Sequence, residues 1–158
     1  MSLKKIKRKG GFTLIEILVV VAIIAILAAI VLVAINPAKR FQDARQSQRQ
    51  ANVESILNAI QQNMVDNKGI LTGCPALPTG TAKNISSASG DYNLAPCVAS
   101  YLAILPVDPQ GGTWSSVTSY DTKYTILSIG SAGQITIAAP NALTDNNPSP
   151  GVSISVTR

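Results

Sequence analysis

The feature that most constrains this chain is an uninterrupted apolar segment near its N-terminus. Residues Ile17–Ile35 carry no polar side chain, and extending the segment back to Phe12 adds only Thr13 and Glu16. A helix of about 20 apolar residues spans the roughly 30 Å hydrocarbon core of a bilayer. Because the segment is apolar all round, lipid or protein must cover every face of it.

The basic residues are distributed unevenly along the chain. Five of them precede the apolar segment: Lys4, Lys5, Lys7, Arg8 and Lys9. The other eight basic residues balance the eight acidic ones, so the rest of the chain carries no net charge that would favour nucleic acid. Basic flanks of a membrane segment stay cytoplasmic. We therefore expect a cytoplasmic N-terminus, with the residues after Ile35 outside.

Three kinds of N-terminal segment have this general pattern. A cleaved secretory signal has a shorter apolar region and an Ala-x-Ala site, and no such site occurs between Ile17 and Arg40. A plain anchor fits the length but does not explain Glu16, because a carboxylate in an apolar segment costs a few kcal/mol. Either Glu16 reaches the headgroups or it has a cationic partner. Cleavage after Gly11 would place such a partner, the free amine of Phe12, four residues away.

The residues Lys9–Glu16, KGGFTLIE, together with the apolar run resemble the class III signal of type IV prepilins and of pseudopilins. This resemblance implies that a prepilin peptidase cleaves between Gly11 and Phe12 and N-methylates Phe12. It also implies that Glu16 pairs with the Phe12 amine of a neighbouring subunit. The expected partners are copies of the chain and related pilins, a membrane platform with its assembly ATPase, and the lipid bilayer before assembly.

The predicted function is therefore a structural subunit of a type IV pilus or a related filament. One alternative is a pseudopilin of a type II secretion or competence system, and another is a monomeric anchored binding module. An enzyme is not predicted, because the chain has no His for triads or dyads and no phosphate-binding glycine loop. The resemblance implies a single-pass protein of the cytoplasmic membrane that later enters an extracellular pilus or pseudopilus.

The predicted fold class is α+β, a pilin fold in which a long N-terminal helix packs on a small antiparallel sheet. We expect four segments: a cleaved leader at 1–11, an apolar helix at 12–35, an amphipathic helix at 36–68, and a loop with a sheet at 69–158. Many members of the family carry a proline midway through the apolar stretch. Here Pro37 comes only at its end, so we predict a break at Asn36–Pro37.

The amphipathic helix is predicted from apolar residues that recur at spacings of three and four. They are Phe41, Ala44, Val53, Ile56, Leu57, Ile60 and Met64. Four basic residues, Lys39, Arg40, Arg45 and Arg49, occupy other positions. These four form either a solvated face that also meets lipid phosphates or a DNA-binding stripe. The scarcity of aromatic residues favours the first interpretation.

Residues 69–96 are rich in Gly, Pro, Ser, Thr and Asn and are predicted to form a long loop. Cys74 lies in this loop and Cys97 follows it. Two cysteines in an exported region allow one intramolecular disulfide, worth roughly 3 kcal/mol in the chain-entropy picture. Two thiols alone are too few ligands for a metal.

The C-terminal part is predicted to form three antiparallel strands, at 124–129, 134–138 and 152–157, with a hairpin loop at 130–133. Residues 96–105 suggest a short helix or turn. The turn around Asp108 resembles a loop of major pseudopilins in which calcium binds. Asp108, Asp121 and Asp145 are the candidate ligands, and an ordinary Asp-Pro turn is the alternative. We predict no cofactor.

Overall fold

The computed structural model describes residues 10–129, 134–145 and 154–158. The chain divides into two compact units, with the boundary between Pro37 and Ala38. The described elements confirm the predicted α+β class. The helices are α1 (Leu14–Ile35), α2 (Pro37–Asp66), α3 (Ala95–Val98) and α4 (Pro140–Thr144). The strands are β1 (Lys83–Ser86), β2 (Thr113–Ser116), β3 (Ser119–Ile129), β4 (Gln134–Ala138) and β5 (Ser155–Thr157). The N-terminal basic cluster, the predicted hairpin loop at 130–133 and Val152 lie outside the described residues.

The predicted break between the first two helices is confirmed. Helix α1 ends at Ile35, Asn36 has a left-handed backbone with φ of 43°, and α2 begins at Pro37. Proline suits this position because its missing N–H would have no helical partner in a first turn. At the other end of α2, Lys68 is also left-handed, and the Gly69 N–H donates to the Met64 carbonyl at 2.7 Å. This bond closes the helix in the manner of a Schellman motif.

The head unit, residues 38–158, contains a five-stranded antiparallel sheet in which β3 is central. Its order is β1-β3-β4-β5, and β2 also pairs with β3. Prediction of only three strands was wrong, because β1 lies inside the predicted loop at 69–96 and β2 precedes β3. Both missed strands have four residues and mostly polar side chains. Such short strands carry little alternation of apolar and polar residues, so the pattern does not reveal them.

The core of the head lies between α2 and the sheet. From α2 it receives Val53, Ile56, Leu57 and Ile60, and from β3 and β4 it receives Tyr124, Ile126, Ile135 and Ile137. Fully burying each large aliphatic side chain contributes about 1.5–3 kcal/mol. Buried and more exposed side chains alternate along most of β3 and β4, as expected for strands with one covered face.

The predicted apolar stripe of α2 is wrong in its first two turns. Phe41 is 68% exposed and Ala44 is exposed, whereas Gln42 and Arg49 are buried. The N-terminal part of α2 therefore turns polar side chains toward the rest of the head. This reversal creates the charged contacts described below.

Candidate functional site

The first turn of α1 holds the carboxylate of Glu16 against the backbone of the residue at its N-cap. The Glu16 N–H donates to Thr13 Oγ1 at 3.2 Å, and the Thr13 N–H donates to Glu16 Oε2 at 3.5 Å. Together these contacts form a capping box, which satisfies backbone donors that the helix itself leaves without partners. Within the described chain, Glu16 is thus oriented toward the N-terminal end of its own helix.

The residues before this turn are open to approach. Gly10 and Gly11 are exposed and lie outside regular structure, and a Cβ placed on either would meet no atom within 4 Å. Phe12 is 80% exposed. Backbone without hydrogen-bonded structure and without covering side chains is accessible to a peptidase. The geometry is therefore compatible with cleavage between Gly11 and Phe12, which stays a prediction.

Helix α1 has no covered face in the single chain. None of its 22 residues is buried, and its mean hydropathy over an 18-residue window is 3.5. Among the described residues it is the one helix long and apolar enough to span a membrane. Its length is about 33 Å at 1.5 Å per residue, close to the thickness of a bilayer core.

A second polar site lies inside the head, where Arg49 of α2 is fully buried between two carboxylates. Its Nε donates to Asp108 Oδ2 at 2.8 Å, and its Nη1 donates to Asp145 Oδ2 at 2.8 Å. Its Nη2 also donates to Gln110 Oε1 at 2.6 Å. Burial lowers the pKa of Arg49, but the hydrogen bonds to both carboxylates outweigh this effect and raise the pKa above its ordinary value.

Asp145 also binds Arg45, one turn earlier on α2. Arg45 donates from Nε to Oδ2 at 2.8 Å and from Nη2 to Oδ1 at 2.7 Å, a bidentate pair. We name the set Arg45, Arg49, Asp108 and Asp145 the arginine clasp. The hydrogen bonds from Arg45, together with the one from Arg49, outweigh the opposing effect of burial and lower the pKa of Asp145 to about 2. The clasp joins α2 to two separate segments of the head.

The turn that carries Asp108 depends on a glycine. The Gly112 N–H donates to the Asp108 carbonyl at 3.0 Å, and a Cβ on Gly112 would lie only 2.6 Å from the Asp108 nitrogen. Any other residue would force this turn open. Asp108 Oδ1 accepts from the Gln110 N–H at 2.8 Å, which orients the carboxylate toward Arg49.

Cys74 and Cys97 form the predicted disulfide, with 5.3 Å between their Cα atoms. Cys97 is 5% exposed in α3, whereas Cys74 is partly buried at the edge of the core. The bond joins the long loop after α2 to α3. The two cysteines are 23 positions apart in the chain, so the bond lowers the conformational entropy of the unfolded state substantially.

Comparison with known proteins places these features in context. The family model described as the prokaryotic N-terminal methylation motif matches residues 6–32. The chain is 27% identical over 133 residues to the type II secretion system core protein G of Vibrio cholerae serotype O1 (strain ATCC 39315 / El Tor Inaba N16961). That match covers 84% of this chain and 87% of the relative. Both similarities support the resemblance of the chain to type IV pilins and pseudopilins. No solved structure matches significantly.

The structure does not bring the three calcium candidates together. Asp108 and Asp145 converge, but on the guanidinium of Arg49. Asp121 instead pairs with Lys123 at 2.5 Å and accepts from Asn84 Nδ2 at 3.0 Å. Among the described residues, no group of three or more His, Cys, Asp or Glu side chains is placed to hold a metal ion. The carboxylate groups of Asp108 and Asp145 are thus paired with arginines of the same chain.

The four basic residues of α2 do not form one exposed face, and the prediction of a solvated face was wrong for two of them. Lys39 and Arg40 are exposed, but Arg49 is buried and the side chain of Arg45 is only 25% exposed. A DNA-binding stripe built from all four would therefore lack two of its cations.

Two features of the described sites were missed at the level of sequence. The sequence T-x-x-E before an apolar run is itself a capping-box signature, so Thr13 was detectable from the pattern alone. The arginine clasp was not, because its four members are separated by up to 100 positions and no local pattern links them.

Proposed function

We propose that this chain is a structural subunit of a type IV pilus or a related filament. A prepilin peptidase cleaves between Gly11 and Phe12 and methylates Phe12, and the subunit then polymerises through α1. The observation that carries the proposal is the position of Glu16, whose carboxylate is held at the start of an apolar helix with no covered face.

The chemistry of assembly follows from that position. Removing the leader would create an ammonium group on Phe12, one residue before the Thr13 N–H that already contacts Glu16. In a low-dielectric environment an isolated carboxylate is strongly disfavoured, whereas a paired one is tolerated. A neighbouring copy that brings its own Phe12 amine to Glu16 neutralises both charges. The same neighbour covers the apolar surface of α1 as lipid is left behind.

The proposed topology places the N-terminus in the cytoplasm and the head outside the membrane. Lys4 to Lys9 supply the basic flank on the cytoplasmic side. The disulfide agrees with this topology, because such bonds persist in oxidising compartments. The implied partners are a prepilin peptidase, a membrane platform with an assembly ATPase, and other copies of the chain.

A pseudopilin of a type II secretion system is the second candidate function. It is favoured by the similarity to core protein G of Vibrio cholerae, which extends beyond the N-terminal motif into the head. The physics of α1 is the same for a pilus and a pseudopilus. Deleting the gene separates the two candidates: loss of surface filaments points to a pilus, and loss of protein secretion without loss of filaments points to a pseudopilus.

The proposal is tested first by the intact mass and N-terminal residue of the protein from its native membrane. A chain that begins at N-methylated Phe12 is expected. A chain that begins after Ile35 would contradict the proposal, because the segment carrying Glu16 would be missing from the mature protein.

A second test separates the charge of Glu16 from its capping role. Glu16→Gln preserves an acceptor for the Thr13 N–H but removes the charge, so we expect filament assembly to fall as far as in Glu16→Ala. Glu54→Gln is the matched control, since Glu54 is an exposed glutamate of α2 that binds Gln50. Normal filaments from Glu16→Gln would overturn the pairing mechanism, and a monomeric anchored module would be indifferent to either change.

A further inference from the structure

Asn63 of α2 is a buried amide that contacts both chain segments joined by the disulfide. It is 5% exposed. Its Nδ2 donates to the Cys97 carbonyl at 2.8 Å and to the Thr72 carbonyl at 3.3 Å. Its Oδ1 accepts from the Thr72 N–H at 3.0 Å. One side chain therefore ties the segment before Cys74 and the backbone of Cys97 to the same turn of α2.

Other contacts in this region also do not require the disulfide. The Tyr92 hydroxyl donates to the Pro75 carbonyl at 3.0 Å, which fixes the residue after Cys74. Gly73 has a positive φ of 78°, and a Cβ there would lie 3.7 Å from the Cys97 Cα. The two segments thus also approach each other through atoms other than the two sulfur atoms.

We propose that Asn63 is a positioning residue for disulfide formation: it brings Cys74 and Cys97 together in the folded, reduced head, so that the chain folds first and oxidises second. Burial of an amide is favourable only when its hydrogen bonds are made. The contacts of Asn63 to Thr72 and Cys97 therefore form as the head folds, with or without the sulfur–sulfur bond. This inference concerns the head alone and holds whichever filament the subunit enters.

The exposure of the two cysteine residues sets the order of the reaction with a small disulfide RSSR such as oxidised glutathione. Cys74 is partly buried and reachable, whereas Cys97 is buried. The Cys74 thiolate attacks RSSR, forms a mixed disulfide and releases one RSH after proton uptake. The Cys97 thiolate then attacks the Cys74 sulfur and releases the second RSH. The two thiols lose two protons and two electrons, and RSSR gains them.

The positioning role is tested by the equilibrium of the full-length chain, in detergent micelles, with reduced and oxidised glutathione. The effective concentration of the two thiols is measured from the fraction oxidised. Asn63→Ala should lower it by about tenfold or more, since several hydrogen bonds are lost together. The matched control is Asn52→Ala, which removes another amide of α2 that binds Val107 and Tyr124 far along the helix from the cysteines. It should leave the value within about twofold.

An equal fall of the effective concentration in Asn63→Ala and Asn52→Ala would overturn the proposal, because both substitutions would then act only by lowering the stability of the head. An unchanged value in Asn63→Ala would overturn it as well. If Asn63→Ala does not fold, Tyr92→Phe takes its place, since it removes a single hydrogen bond to the Cys74 segment. Tyr92→Phe should lower the effective concentration about fivefold. Tyr124→Phe is its matched control and should leave the effective concentration unchanged.

Single-cysteine chains test the order of attack. Cys74 in the Cys97→Ala variant should form a mixed disulfide with glutathione at least about tenfold faster than Cys97 in the Cys74→Ala variant. The reverse order of rates would show that Cys97 is the entry thiol and contradict the assignment.

Discussion

The apolar side chains of α1 and those of the head have opposite surroundings in the single chain. Every residue of Leu14–Ile35 is exposed, whereas the apolar residues of α2 in the head reach zero exposure against the sheet. The head therefore supplies its own cover, and α1 needs cover from lipid or from other molecules. The difference teaches that α2 stabilises the fold of the head, whereas the apolar surface of α1 stays uncovered until lipid or another molecule packs on it.

The charged groups of the two regions differ in the same sense. Glu16 lies exposed at the start of α1, where its contact is with the backbone of Thr13. Asp108 and Asp145 are buried in the head and already bind arginines. The buried carboxylates of the head thus have cationic partners within the chain, whereas the carboxylate of Glu16 is exposed.

The largest expected effect comes from separating the two regions. A chain that contains only residues 38–158 should fold, form the Cys74–Cys97 bond and remain monomeric, because the surface that needs cover is gone. Sedimentation velocity and circular dichroism measure both properties. If this fragment forms filaments by itself, the conclusion that assembly requires α1 is wrong.

Arg49→Met should destabilise the head strongly. The change leaves Asp108 buried without its cation, and breaking a buried ion pair in this way costs about 3–5 kcal/mol. Chemical denaturation of the fragment 38–158 measures the loss. Arg40→Met, at an exposed position of the same helix, should change stability by about 0.5 kcal/mol or less. Similar values for the two variants would mean that the arginine clasp contributes little to the fold.

Acid should weaken the clasp in a defined range of pH. Asp145 has a pKa of about 2 in the folded head against an ordinary value of 3.8, so its ionised form is favoured by folding. This stabilisation, on the order of 2 kcal/mol, is present above about pH 4 and is lost as the pH falls through 2. Unfolding free energies measured across this range should decline less in Asp145→Asn than in the unchanged head. Identical declines would exclude Asp145 as a source of the acid sensitivity.

The smallest expected effect is at the start of α1. Thr13→Ala removes the side-chain cap, which is worth about 1 kcal/mol to a helix, but leaves the charge of Glu16. The unfolding of the head should not change, and assembly should fall far less than in Glu16→Gln. A Thr13→Ala variant that assembles as poorly as Glu16→Gln would show that the orientation of the carboxylate matters as much as its charge.

The sequence predicted well those parts of the fold that depend on local patterns or on simple residue counts. The apolar run, the break at Asn36–Pro37, the strands at 134–138 and within 119–129, and the cysteine pair are all visible in local patterns or in simple counts. It failed where a short or polar segment owes its structure to a distant partner. Strands β1 and β2 exist because β3 pairs with them, and neither has a pattern of its own.

The sequence by itself determined that α1 is apolar, that one carboxylate stands at its start, and that two glycines precede Phe12. Those features are local, because each depends on residues only a few positions apart. Only the tertiary structure decided that Arg49 is buried, that Asp108 and Asp145 meet it, and that Asn63 holds both disulfide segments. A charged or amide side chain in the middle of a helix looks like a solvated one until the distant residues that satisfy its hydrogen bonds are known.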